Sequence, residues 1–496
     1  MKRKKYTLEK VLVTGYAAEG KAIVKTDGKV IFVSGAVPGD VVDVFVSTNK
    51  KDWGEGKATR FYEYSTERTE PFCKHFGICG GCKWQMLPYE KQLEYKQQEV
   101  AQNFRRIGKI ALPEMLPIVG AAATQHYRNK LEFTFSNKRY LSNDEIKLLP
   151  PKEPRSNNTS TENIKTKNEA VVLETAVSAT SAMETGALGY HVPRIFDKII
   201  NIEECYLMDD VNNSIRNTIR DIAVQNNYSF YDIKNHTGWL RNIIIRKCNT
   251  GELMVNICLA FEDETATKNL LDNLLEKVPS ITTLLYTINK KWNDTIYDLT
   301  PQVYVGKGFV IEQLEEFKFK IGPKSFFQTN TQQAEKLYSI TRDFAELSGN
   351  EIVYDLYCGT GSIGIFISKL AKKIIGVEVI AEAIEDAKVN AALNNITHAD
   401  FFAGNVIKIC DDDFFATHGR PDVIITDPPR AGMHEKLVIK LLEMAAPKIV
   451  YVSCNTATQA RDLALLSEKY KVEKIQPVDM FPHTHHIECV VLLTLL

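Results

Sequence analysis

No run of apolar residues in this chain approaches the roughly 20 that a helix needs to cross a bilayer, so no membrane span is expected. Nor does the start, Met1-Lys-Arg-Lys-Lys5, lead into an apolar core. No secretory signal is read there, and a cytoplasmic location is expected. Net charge is nearly absent, −1 over 496 residues, which at first argues against a nucleic-acid partner. Disulfides are not expected either, because ten cysteines in a long chain without an export signal are not a bridging framework. What remains is a globular chain, 44% hydrophobic and 25% charged, long enough for roughly two to four domains.

The small net charge hides an asymmetry. Residues 1–140 hold 24 Lys/Arg against 15 Asp/Glu, and the remainder holds 37 against 47. A basic first third beside an acidic remainder suggests local contact with phosphates. Within it, residues 6–64 read as short strands near 11–15, 21–25, 29–33 and 41–46, with turns at Asp27-Gly28 and Pro38-Gly39-Asp40. That pattern predicts a small β-barrel of the oligonucleotide-binding kind.

Three cysteines, Cys73, Cys79 and Cys82, then fall close together with glycines between them in the loop 72–84. Such a loop can wrap a metal centre, with a fourth ligand from elsewhere, for which Cys205 is chosen. Zinc and an iron–sulfur cluster both accept four thiolates, and the spacing departs from the paired C-x2-C pattern usual for zinc. A helix follows over 88–106, with Leu93, Val100 and Phe104 at core spacing. Strands near 126–135 and 187–191 form a hairpin across a polar insertion at 141–186, which is expected to be flexible. A second pair, 239–246 and 252–259, turns at Asn249-Thr-Gly251, and residues 86–320 read as a mixed α/β region.

From Ser325 the pattern alternates strand and helix, the signature of a mainly parallel, doubly wound sheet. Its first strand ends in Asp355-Leu-Tyr-Cys-Gly359-Thr-Gly361-Ser-Ile-Gly364, and the second ends at Glu378, whose carboxylate suits a ribose diol. This spacing also meets a dinucleotide fingerprint, which leaves a nicotinamide-dependent oxidoreductase as an alternative. Asp355, Asp427 in Asp427-Pro-Pro-Arg430, and the pair Cys454 and Glu488 favour the cationic cofactor S-adenosylmethionine. Carbon 5 of a uracil is a poor nucleophile. A thiolate added at carbon 6 activates it, and a base must later remove the carbon-5 proton. Cys454 in Ser453-Cys-Asn455 fits the first task, with Arg430 a candidate to favour its thiolate, and Glu488 fits the second. The histidines of His483-Thr-His-His-Ile-Glu488 leave a turn or a metal site open.

At these residues, together with Ser325-Phe-Phe-Gln-Thr-Asn330, the chain resembles the RNA uracil-5-methyltransferase family, most closely its 23S ribosomal RNA branch. Residues 6–64 resemble the TRAM module of that branch. The resemblance implies an α/β protein in three parts: a small OB-fold-like barrel at 1–66, a central α/β RNA-binding domain at 67–324, and a Rossmann-like methyltransferase domain at 325–496. It implies Cys454 as nucleophile and Glu488 as general base. Gln328, Tyr357, Ser362, Glu378, Asn405 and Asp427 would hold S-adenosylmethionine. Cys73, Cys79, Cys82 and Cys205 would hold a 4Fe-4S cluster. The expected product is 5-methyluridine in 23S rRNA, made by a monomer. The same chemistry on tRNA, a cytosine target, or an inactive RNA-binding adaptor are the alternatives.

Overall fold

In a computed structural model of the chain, the described residues are 5–26, 28–110, 113, 115–141, 143–147 and 186–496. Most of the expected polar insertion (148–185) lies outside them, as does Asp27 of the expected Asp27-Gly28 turn. At the insertion's start, Asn143–Lys147 forms a short helix.

The N-terminal part is one six-stranded sheet in the order Tyr6–Leu12, Val41–Asn49, Trp53–Glu63, Lys29–Ser34, Lys21–Thr26, Gly15–Ala17. Its pairs are antiparallel except Lys29–Ser34 against Trp53–Glu63. Alternate residues Val24, Ile31, Val33, Val42, Val44 and Val46 turn inward as its core. The Pro38-Gly39-Asp40 turn is held by a buried carboxylate. Asp40 accepts from the amides of Val37 (2.7 Å) and Ser65 (2.9 Å) and pairs with both arms of Arg68.

The central sheet has seven strands, in the order Gln302–Val305, Thr283–Ile288, Leu253–Leu259, Leu240–Lys247, Lys130–Ser136, Ala187–Val192, Ile195–Asn201. Both expected hairpin pairings are present. Helices Val211–Gln225 and Glu264–Lys277 bury Ile215, Ile219, Ile222, Leu270, Leu271 and Leu274 against it.

The C-terminal sheet runs Ala399–Ala403, Lys373–Glu378, Ile352–Leu356, Val423–Thr426, Lys448–Ser453, Glu488–Leu495, Tyr470–Val478. The first five are parallel, and Glu488–Leu495 is antiparallel to both its neighbours. The central strands are Val/Ile runs because helices cover both faces. Thr331–Ala345, Ser362–Ile367 and Ala381–Leu393 contribute to one core, and Glu435–Met444 and Thr456–Leu466 to the other. The helix Tyr89–Asn103 joins that second core through Val100, although the sequence places it in the central region. Strand order reverses between Ile352–Leu356 and Val423–Thr426, the switch point beyond whose carboxyl ends such sheets bind ligands.

Candidate active site

At the switch point, glycines let the backbone turn tightly around acidic side chains. Gly359 and Gly361 adopt φ of 54° and 77°, the left-handed region. The Gly364 amide donates to Asp355 Oδ2 at 2.9 Å, and a Cβ on Gly364 would lie 3.0 Å from that oxygen. Glu378 accepts from the amides of Gly359 (3.3 Å) and Ile380 (3.0 Å), which aims it along the strand end. Tyr357 holds φ 62° without being glycine, a local strain worth about 1–3 kcal/mol. Tyr357, Glu378 and Asn405 line a cavity of about 420 Å³, together with Val379, His434 and Lys436.

The other expected cofactor residues, Gln328, Ser362 and Asp427, do not line this cavity. Ser362 heads its helix and shares a 3.0 Å hydrogen bond with the Tyr338 hydroxyl. Gln328 is buried, and its carbonyl accepts from Asn129 Nδ2 at 3.1 Å. Asp427 ends the adjoining strand, its amide donating to the Leu356 carbonyl. Burial pushes the carboxyls of Asp355 and Asp427 up to about 7, and Asp427 and Glu378 reinforce the rise at Asp355. Asp355 Oδ1 is buried without a partner. Carboxyl groups are crowded here, an arrangement that suits a cation and opposes a pyrophosphate.

Register brings Cys454 to Glu488. In the antiparallel pair of Lys448–Ser453 and Glu488–Leu495, the last partners are Ser453 and Cys489. One step further, Cys454 stands opposite Glu488. Ser453 and Asn455 brace the thiol from both sides. The Asn455 amide donates to Ser453 Oγ (3.1 Å), and Asn455 Oδ1 caps the helix Thr456–Leu466 by accepting from Ala457 (3.1 Å). Asn455 Nδ2 also donates to the Arg430 carbonyl at 3.0 Å.

The electrostatics tie the four groups together. Burial raises the Cys454 thiol to about 11, Glu488 and Asp427 add to the rise, and Arg430 opposes it. Glu488 itself is held well above the usual carboxylate range, first by burial and then by Asp427, again opposed by Arg430. Arg430 therefore is the cation that faces the thiol, as expected, and it bonds His486 at 3.2 Å. The sequence reading missed Tyr338, which faces Asp427, Asp355 and Glu488 from the helix Thr331–Ala345. A buried hydroxyl on an amphipathic helix carries no sequence signal.

His483 is a structural clamp. Its carbonyl accepts from the amides of Lys83 (2.7 Å) and Trp84 (3.1 Å), and its own amide donates to Gln92 Oε1 (2.8 Å). Burial lowers His483 and His485 to about 4, so both are neutral. Among the described residues, no group of three or more His, Cys, Asp or Glu is arranged to hold a single metal ion. Cys73, Cys79, Cys82 and Cys205 nonetheless line one small cavity with Phe72 and His75. His75 takes part in the wall, and its Nε2 accepts from the Glu203 amide.

Three comparisons bear on this geometry. Residues 296–495 match the family model described as tRNA (Uracil-5-)-methyltransferase. An uncharacterized RNA methyltransferase of Bacteroides thetaiotaomicron is 52% identical over 97% of this chain and 100% of its own length. Another, from Porphyromonas gingivalis, is 46% identical over 97% of this chain and 98% of its own. The fold is that of the Pyrococcus abyssi tRNA (uracil-54, C5)-methyltransferase crystallised with S-adenosyl-L-homocysteine: TM-score 0.70, 24% identity, 98% of this chain and 100% of that one. These likenesses give the nicotinamide alternative no support. With a thiol facing a carboxylate across two strand ends, and relatives that match it from end to end, the chain belongs to the RNA uracil-5-methyltransferase family.

Proposed function

We propose that this protein methylates carbon 5 of a uridine in 23S rRNA with S-adenosylmethionine, through a transient bond from Cys454 to the base. The observation that carries the reading is the register that sets Cys454 opposite Glu488. The Cys454 sulfur bonds carbon 6, and the electron pair of the 5,6 double bond moves to carbon 5. When bound, the cofactor supplies an electrophilic methyl on a sulfonium, which carbon 5 takes up. Glu488 then removes the carbon-5 hydrogen as a proton. The freed pair re-forms the double bond and Sγ departs. Burial and Asp427 hold this carboxyl well above its ordinary range, which makes its carboxylate a stronger base than a solvated one and suits that last task.

The residues present fit the cofactor. Glu378, Tyr357 and Asn405 would hold its nucleoside end in the lined cavity. Gln328, Ser362 and Asp427 would border the methionine end. Asp355, with one buried oxygen unpartnered, supports a positive ligand there. The four cysteines that share one cavity would supply the four thiolates of a 4Fe-4S group. On this reading the parts are a TRAM-like barrel at 1–66, a central RNA-binding domain at 67–324 and the catalytic domain at 325–496, in a monomer.

RNA carrying 5-fluorouridine and incubated with protein and cofactor is expected to form a covalent complex that Cys454→Ala abolishes. A complex that persists in that variant defeats the mechanism. Offering 23S rRNA and tRNA side by side decides the substrate. tRNA is the second reading because the family model and the archaeal fold relative carry that name. Anaerobic purification is expected to give bound iron and sulfide, and one equivalent of zinc defeats the cluster.

A further inference from the structure

A second cavity, of about 350 Å³, opens where the strand Leu240–Lys247 begins. It lies away from the catalytic cleft. The strand's other end, at Lys247, bonds Asn129 beside Gln328.

Two loops wall this cavity, each nailed down by a buried charge. In the first, Asp232, 3% exposed, accepts from the amides of Lys234 (2.8 Å) and Asn235 (3.1 Å), from Asn137 Nδ2 (3.1 Å) and from Lys138 Nζ (3.0 Å). In the second, Arg241, 1% exposed, donates to the carbonyls of Asn289 (2.8 Å), Lys291 and Asn293 (2.9 Å), and to Asp294 Oδ1 (2.8 Å). The loops meet in a stacked ring pair, His236 on Trp292, with centroids 4.8 Å apart and planes 8° from parallel.

Trp292 is nevertheless 76% exposed. An indole covered on one face and bare on the other, on a loop held by the buried Arg241, is a platform ready for a flat partner. Phe261, 46% exposed, and Lys290 complete the wall. Among the described residues, no carboxylate lines the cavity. Lys290 pairs with Glu262 at 3.3 Å, but both are mostly in water, so the pair is weak and exchangeable. Aromatic faces beside a cation suit a nucleobase and its phosphate.

We propose that this cavity is a second RNA-contact site, in which an unpaired base of the substrate stacks on the bare face of Trp292 while Lys290 meets the adjoining phosphate. The assignment rests on the family's RNA substrate. The loop itself leads toward the catalytic domain. It runs on to Tyr297, 72% exposed, whose carbonyl accepts from Lys324 Nζ at 3.0 Å, next to the 325–330 motif.

Fluorescence anisotropy of the full-length protein with labelled 23S rRNA fragments and with tRNA tests the site. Trp292→Ala is expected to weaken binding of the true substrate by roughly 5- to 100-fold, and Trp292→Phe to stay within about threefold. Lys290→Glu is expected to weaken binding and to lower the salt slope by about one. Wild-type affinity in Trp292→Ala, or a Trp292→Phe variant as weak as the alanine one, overturns the proposal. A wild-type protein that binds neither RNA defeats the RNA substrate reading instead.

Discussion

Replacing Lys96 with methionine probes how the loop that leads into Glu488 is held. Lys96 and Asp479 are both fully buried, with nitrogen and oxygen 2.6 Å apart. The Phe481 amide donates to the same Asp479 oxygen (3.0 Å), and the Tyr89 hydroxyl donates to the other (2.9 Å). Methionine keeps the apolar stem and removes the ammonium. The carboxylate is left with two neutral donors, and breaking a buried pair from one side typically costs about 3–5 kcal/mol. A chain of several domains does not unfold in one step, so the loss is best read locally, as hydrogen exchange over residues 479–488. Exchange at the Phe481 amide is expected to rise roughly 10²- to 10⁴-fold. Adding Asp479→Asn removes the stranded charge, keeps an acceptor, and is expected to bring exchange back to within about tenfold of wild type. Turnover is expected to fall with the single variant, because this loop delivers Glu488. Unchanged exchange in Lys96→Met refutes the clamp.

Glu488→Gln is expected to slow turnover roughly 10²- to 10⁴-fold. The same change is expected to speed alkylation of Cys454 by iodoacetamide at pH 9, because the lost carboxylate helps push that thiol up to about 11; equal alkylation rates contradict the coupling. Asp355 and Asp427 have pKa values raised to about 7 on folding, so the stability they contribute is full below the ordinary carboxylate range and lost as pH climbs through 7. The melting temperature of the free protein is therefore expected to fall between pH 5 and 8. S-adenosylmethionine should recover more of it than S-adenosylhomocysteine, which lacks the sulfonium charge, and identical recovery by both argues against a cation site. Asn455→Ala is expected to cost about 1 kcal/mol of helix capping along with turnover, whereas Asn455→Asp keeps the cap, loses the bond to the Arg430 carbonyl and adds a negative charge beside the thiol; calorimetry on both variants reads the cap, and turnover reads the thiol's surroundings.

The C-terminal domain was legible because its central strands are continuous apolar runs, such as Ile449 to Val452, that lead into the motif residues. Strand-end chemistry then follows from the topology alone. The strand Trp53–Glu63 was not legible, because its inward positions are Gly54, Gly56 and Ala58. A Cβ at Gly56 would lie 2.6 Å from Val44 Cγ1, so the core is filled from the neighbouring strand and the usual alternation vanishes. The helix Val211–Gln225 escaped for a related reason. Its buried face includes Arg216, whose guanidinium bonds the carbonyls of Ile202 and Glu203, partners that no local pattern reveals. The helix Tyr89–Asn103 was recognised, but its destination on the C-terminal sheet depends on residues hundreds of positions away. In the candidate site, Cys454, Glu488 and Arg430 were readable from motifs, whereas Tyr338 and Lys96 act through contacts that only the folded chain creates.

The clamp on the catalytic loop also sets an order of events during synthesis. Lys96 and Asp479 are 383 residues apart, and Gln92 and His483 are 391. At roughly 5–20 residues per second, translation leaves the early helix without these partners for about 20–80 s. Throughout that interval Lys96 lacks the Asp479 carboxylate it is buried against in the finished fold. The cleft is therefore finished only as the last segment clears the ribosome, and a nascent chain stalled short of residue 479 presents an unfinished surface to chaperones and proteases.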